Sequence, residues 1–343
     1  MCYHWRMDEV EQTPDPGKER VSHGLLGSVL GSNDTDESES LTTVLVAFGV
    51  NIVIAVAKSV AAVITGSASI LAEAAHSWAD AGNEVFLLIA NRRAARAPDE
   101  LHPLGHGREA YVWSLFAALG LFVAGAAVSI THGIQELVTR ESAREFVVGY
   151  VVLAVSFVLE GISFLQSARQ ARSEARTLQR DLIEHVLATS DPTLRAVFAE
   201  DAAALAGLLI AAAGLFAHQL TGSSVPDAVG SILVGVLLAF VALLLINRNR
   251  RFLVGQEADP RVRAAALQAL LDAPEVARVT YLRLEIVGPR MISVIGDVDL
   301  TGDDTESHVA VRLRALEAKI SASPAVAGAV LSLSAPDEPA LAG

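Results

Sequence analysis

The chain has a single cysteine, Cys2, among 343 residues. An internal disulfide is therefore excluded, and so is a zinc cluster built on several thiolates. Charge is scarce too: 19% of residues are charged, against 52% hydrophobic. That balance is too apolar for an ordinary soluble protein. The formal net charge of −13 argues against a nucleic-acid partner. No His-Glu-x-x-His motif occurs, and Ser77 and Ser190 stand without an accompanying base. A membrane-embedded metalloenzyme therefore lacks its machinery, and no enzymatic activity is expected. Residues 1–40 are polar, with Asp34, Asp36, Glu37 and Glu39 near their end. They read as a disordered acidic tail with no signal peptide.

What the chain does have is long apolar runs. Six of them, at about 42–64, 69–91, 110–131, 147–168, 197–219 and 225–247, are long enough for a bilayer, which requires roughly 20 residues. The expectation is a transmembrane region over 41–250. Arg92, Arg93, Arg96 and Arg108 lie between the second and third runs, and Arg169, Arg172, Arg176, Arg180 and Arg195 between the fourth and fifth. Arg248, Arg250 and Arg251 follow the sixth, whereas the alternate loops carry only Arg140 and Arg144. The excess of arginine on one side places both termini in the cytoplasm. The expected location is a bacterial inner membrane.

From Ala258 the composition becomes that of a soluble domain. Ala265, Leu267 and Leu271 fall at helical spacing, and Leu282, Leu284 and Ile286 alternate as in a strand. Gly288-Pro289 signals a turn before a second alternating run, Ile292, Val294 and Val298. Val309, Leu313, Leu316 and Ile320 mark another helix, and Val326 to Leu333 a last strand. Helix, strand, strand, helix, strand implies a small α+β sandwich over 257–335, with a disordered tail from Pro336.

The chemistry lies where ionisable residues interrupt apolar runs. His76 and Asp80 are four apart, so on a helix they share one face, with Glu73 and Glu84 close to it. A charge near the centre of a membrane helix costs about 2.5–3.5 kcal/mol on insertion scales. A bound cation offsets that cost. Pairing of His76 with Asp80, or of either with Lys58, is the purely structural alternative. Glu200 and Asp201 are adjacent in the fifth run, about 100° apart around a helix. Asn51 and Glu160 stand in the first and fourth runs. Asn51 is read as a neutral oxygen ligand or a hydrogen-bond support for the ligands, and Glu160 as part of a proton route, with helix packing as the plainer role of each. Glu73 is a third such residue, and both Glu73 and Glu84 read as groups at a helix end or mouth. A lone His185 reads as solvated.

His76-Ser77-x-x-Asp80, followed by His102-Pro-Leu-Gly-His106-Gly-Arg108-Glu109, resembles the cation diffusion facilitator family of proton-coupled exporters of zinc and related divalent metals. The resemblance runs from about Leu41 into the C-terminal domain. It implies a membrane all-α six-helix bundle with a C-terminal cytoplasmic α+β ferredoxin-like domain that joins a homodimer. It implies zinc as the transported substrate, with Mn2+, Fe2+, Co2+ and Ni2+ still open. Asp99, His102 and His106 match the family's loop metal site; a structural loop in which His106 and Arg108 cap the third helix is the alternative. The His-x-x-x-Asp pattern of the family's fifth helix is missing. Glu200-Asp201 in its place is similar to a divergent zinc-transporting branch, so the expected transport ligands are His76, Asp80 and at least one of Glu200 and Asp201, the other accepting protons or a hydrogen bond nearby; cap-like acids at the cytoplasmic helix end are the alternative. The histidine-rich loop of many relatives is absent. A metal-gated channel or membrane metal sensor without antiport is the alternative function.

Overall fold

The computed structural model describes residues 37–139 and 145–342. The expected tail, 1–40, lies outside the described residues except for its last four, which already belong to the first helix. Six long helices follow one another: α1 (Glu37–Thr65), α2 (Ala68–Ala94), α3 (Glu109–Thr139), α4 (Phe146–Thr177), α6 (Pro192–Thr221) and α7 (Val225–Val254), with a short α5 (Leu182–Ala188) before α6. Among the described residues, α3, α4, α6 and α7 are long and apolar enough by themselves to cross a membrane. Helix α2 has the length of a span, but its apolar character is broken by Glu73, His76, Asp80 and Glu84. In α1 the apolar stretch Asn51–Thr65 stands out.

Helix α2 is central. It packs against α1, α3, α6 and α7. Its outward neighbours turn large apolar side chains to the surrounding medium, among them Val63, Val147, Leu209 and Phe240. Such a surface suits lipid. Close approach of α3 to α7 depends on missing side chains. A Cβ on Gly133 would lie 2.8 Å from the Ala228 carbonyl, and one on Gly235 2.9 Å from that of Ala126. Within α3 the stretch Leu121–Ala127 is π-helical.

The α2 and α6 N-termini are fixed by side chains. Ser67 accepts from the Ile70 amide, and Asp191 accepts from Thr193 and Leu194, with Pro192 opening α6. Asp227 of α7 reaches across to α2. It accepts from the Ala68 amide at 2.7 Å and from the hydroxyls of Ser67 and Ser69. A buried carboxylate at a helix N-terminus meets both orphan amides and the positive end of the helix dipole.

The C-terminal part is a three-stranded sheet carrying two helices. Strand β1 (Val276–Gly288) pairs antiparallel with β2 (Met291–Leu300), and β2 pairs parallel with β3 (Val326–Leu333). Register sets Leu284 opposite Val294 and Ile286 opposite Ile292, so the alternating residues share one face. Helices α8 (Pro260–Leu271) and α9 (Glu306–Ser321) cover it with Val262, Ala266, Leu267, Leu270 and Leu316. The buried α8 stripe is thus centred on Val262 and Leu270 rather than on Ala265 and Leu271. The segment after Pro336 is not loose. Arg278 donates to the carbonyls of Ala335 and Glu338, and the Leu341 amide to that of Val279.

Membrane helices and sheet share a core. Tyr111 at the start of α3 stacks on Phe252 at the end of α7, ring centroids 4.9 Å apart, and both join the sheet's buried cluster. Arg108 pairs with Glu285 of β1, and Arg290 with Glu174 of α4 at 2.7 Å. His185 was expected in solvent. It is buried, with Nε2 3.3 Å from Glu174, because α5 folds back against α4 beneath the sheet.

Candidate metal sites

On α2, Glu73, His76, Asp80 and Glu84 recur at intervals of three or four and so stack along one side of the helix. His76 is fully buried. Its Nδ1 lies 3.4 Å from Asp80 Oδ1, yet neither atom meets the geometry of a hydrogen bond. His76 Nε2 is buried without a partner as well. Buried polar atoms are nearly always satisfied in folded proteins, so an unsatisfied imidazole beside a carboxylate marks a place for a ligand. Asp80 lies within electrostatic range of Glu200, Glu160, Lys58 and Asp201.

The structure does not close His76, Asp80, Glu200 and Asp201 into one cage. Asn83, seven residues beyond His76 on the same side of α2, donates to Glu200. Asp201 accepts from Ser163 and Ser167 of α4, both at 3.1 Å. Each acid of the pair is therefore held by a different helix, as a 100° step around α6 requires. Glu200 Oε1 remains buried and unpartnered. Asn51 of α1 donates to Glu84 at 2.5 Å, and the other oxygen of Glu84 has no partner.

Glu73 does not lie at a mouth. Glu73 is fully buried and pairs with Lys58 at 3.2 Å, and Glu160 meets the same ammonium at 3.5 Å. The helix-end reading of Glu73 is thereby corrected: five residues into α2, it faces α1 rather than solvent.

The loop after α2 holds a tighter cluster. The ligand atoms of Asp99, His102 and His106 all lie within 4.8 Å of one another, the one such convergence of three among the described residues. Asp99 Oδ1 is 3.0 Å from His102 Nδ1, and Oδ2 is 3.0 Å from His106 Nε2. Backbone amides of Leu101 and His102 also donate to Asp99 Oδ1. These contacts, the His102 side chain first among them, hold the Asp99 carboxyl down at about 2. Gly105 adopts φ +78 and so turns the chain between the two imidazoles. Two imidazoles and a carboxylate are a donor set that zinc accepts.

Residues 44–254 match the family model of the cation efflux transmembrane domain. The chain belongs to the cation efflux family, the cation diffusion facilitators. It is 37% identical over 233 residues to metal tolerance protein C4 of Arabidopsis thaliana, covering 68% of this chain and 51% of that protein. It is 34% identical over 245 residues to the mitochondrial proton-coupled zinc antiporter SLC30A9 of Xenopus laevis, 71% of this chain and 44% of that one. The human SLC30A9 gives 30% over 259 residues, 76% and 46%. The chain thus spans about half the length of these relatives.

Within this family member, reading the sequence alone did not find the roles of Asn83, Ser163, Ser167 and Asp227. A signal for three of them was present. Asn83 stands seven residues from His76, and Ser163 and Ser167 stand three and seven from Glu160. All lie on faces already marked by an ionisable group. Asp227 carried no such signal, because its partner is the far end of another helix.

Proposed function

We propose that the chain is a proton-coupled antiporter that exports zinc across its membrane. The supporting observation is the buried His76–Asp80 pair on the central helix, with both imidazole nitrogens lacking hydrogen-bond partners. Nitrogen and carboxylate oxygen suit zinc and the neighbouring divalent ions; an all-oxygen site would suit manganese better. Glu200 and Asp201, on α6, complete the ligand set when α2 and α6 shift against each other. The relatives named as zinc antiporters favour the same substrate.

Coupling follows from shared atoms. A metal ligand must be deprotonated, so metal and protons compete for His76 and the acids. An imidazole titrates near about 6.5 in water, within the range a pH gradient spans. Metal enters from the arginine-rich side, read as cytoplasmic, and leaves on the other as protons replace it. Both termini then face the cytoplasm. The sheet domain, whose open face leaves Tyr281, Ile295 and Val330 exposed, joins two protomers.

Uptake of zinc into proteoliposomes with an imposed pH gradient tests this reading. Zinc flux should rise with a gradient that is acid on the receiving side, collapse with a protonophore, and be lost in His76→Ala. Flux indifferent to the gradient would rule out the coupling. Flux unchanged in His76→Ala would rule out the site.

A further inference from the structure

One buried cluster of charge lies beside the proposed transport ligands and shares none of them. Lys58 of α1 is fully buried, and its ammonium lies between two carboxylates, 3.2 Å from Glu73 Oε2 on α2 and 3.5 Å from Glu160 Oε1 on α4. Glu73 is also fully buried, and its other oxygen, Oε1, has no hydrogen-bond partner. That oxygen lies against α6, so close that a Cβ on Gly207 would collide with it. Four helices therefore meet around one carboxylate. Glu73 precedes His76 by three residues, which places it about 4.5 Å nearer the Ser67 end of α2, away from the arginines.

Two carboxylates buried together stay ionised only with a positive charge between them. Here a side chain supplies it. A lysine ammonium sits on a flexible four-carbon stem, unlike a guanidinium held in a rigid fork. Asp80 is also within electrostatic range of Lys58, so the ammonium has a third acid to turn towards. When it does, Glu73 and Glu160 are left with three or four free oxygen acceptors and no counter-charge.

We infer that Glu73 and Glu160 form a second divalent-cation position, which Lys58 fills with its own ammonium in this conformation. Its donors are carboxylate oxygens alone, so it takes a hard divalent ion such as Mn2+ or Mg2+ more readily than a soft one. It lies one turn beyond His76 on the side opposite the arginines. The tethered ammonium thus keeps a second ion out while the first occupies the transport ligands.

The test is a count of bound Mn2+, by electron paramagnetic resonance of the purified full chain in detergent. Wild type is compared with Lys58→Met, Lys58→Arg and the double variant Lys58→Met/Glu160→Gln. Lys58→Met should bind one Mn2+ per protomer more than wild type. Lys58→Arg should bind the wild-type number, and the double variant should lose the extra ion. A folded Lys58→Met that binds no more than wild type would overturn the inference. If Lys58→Met is recovered only as aggregate, it is prepared again with Mn2+ present. Restored monodisperse protein supports the position, and aggregation despite Mn2+ overturns it. The reading is a difference between variants, so it stands apart from the antiport proposal, which a wild type without any metal affinity would contradict.

Discussion

Gly107 and Gly288 meet backbone to backbone. A Cβ on Gly107 would lie 2.7 Å from the Val287 carbonyl oxygen and 2.8 Å from the Gly288 Cα. Gly107 directly follows His106 of the loop cluster, and Gly288 closes β1 before the hairpin turn. The loop and the sheet are thus in contact without any side chain between them. Gly107→Ala has no flexible neighbour to displace, so backbone must move. We predict a loss of about 1–3 kcal/mol, the usual range for overpacking, read as a lower melting temperature in detergent. An unchanged melt would show that the two backbones separate freely.

Asp227 ties the start of α7 to the start of α2, where three donors from Ser67, Ala68 and Ser69 converge on it. It is 1% exposed. Replacing it with Ala strands those donors away from water. The expected cost is about 1–3 kcal/mol, the penalty for buried unsatisfied groups. Thermal unfolding should report it, and zinc flux should fall with it because α2 carries His76 and Asp80. A variant as stable as wild type would mean that water replaces the carboxylate.

The Asp99 carboxyl is held at about 2, below the ordinary carboxylate range. A lowered folded-state value means that its contribution is complete above the ordinary value of about 3.9 and is lost as pH falls towards 2. Asp99 is therefore ionised throughout the range in which the protein is handled. Asp99→Asn should weaken zinc binding at the loop at both pH 6 and pH 8, as read by titration calorimetry. Zinc bound with undiminished affinity in Asp99→Asn at both pH values would show that Asp99 is not a ligand.

Much of this was legible in advance because the chain spells it locally. The strands flanking Gly288-Pro289 alternate over residues 282–286 and 292–298, and register there follows from which face is apolar, while the shift between Val279 and Tyr281 leaves no such mark in the sequence. His102 to Glu109 is a contiguous motif, and a loop of that length holds its ligands together without help from distant segments. The pairing of Lys58 with Glu73 and Glu160 was less visible, since three helices must meet before the charges do. His185 misled for a related reason. A single histidine in a polar link looks solvated until α5 folds under the sheet and brings Glu174 to it. Glu200 and Asp201 are the hardest case, because adjacency in sequence says only that they diverge around the helix. The structure divides them between Asn83 of α2 and the two serines of α4.

The central claim is that α2 and α6 together hold one divalent ion. Zinc binding to the full chain, measured by titration calorimetry in a His102→Ala/His106→Ala background, isolates that ion from the loop. The account predicts one zinc per protomer, lost in Asp80→Ala and lost again when Glu200→Gln and Asp201→Asn are combined. Zinc bound with undiminished affinity in both variants would contradict it.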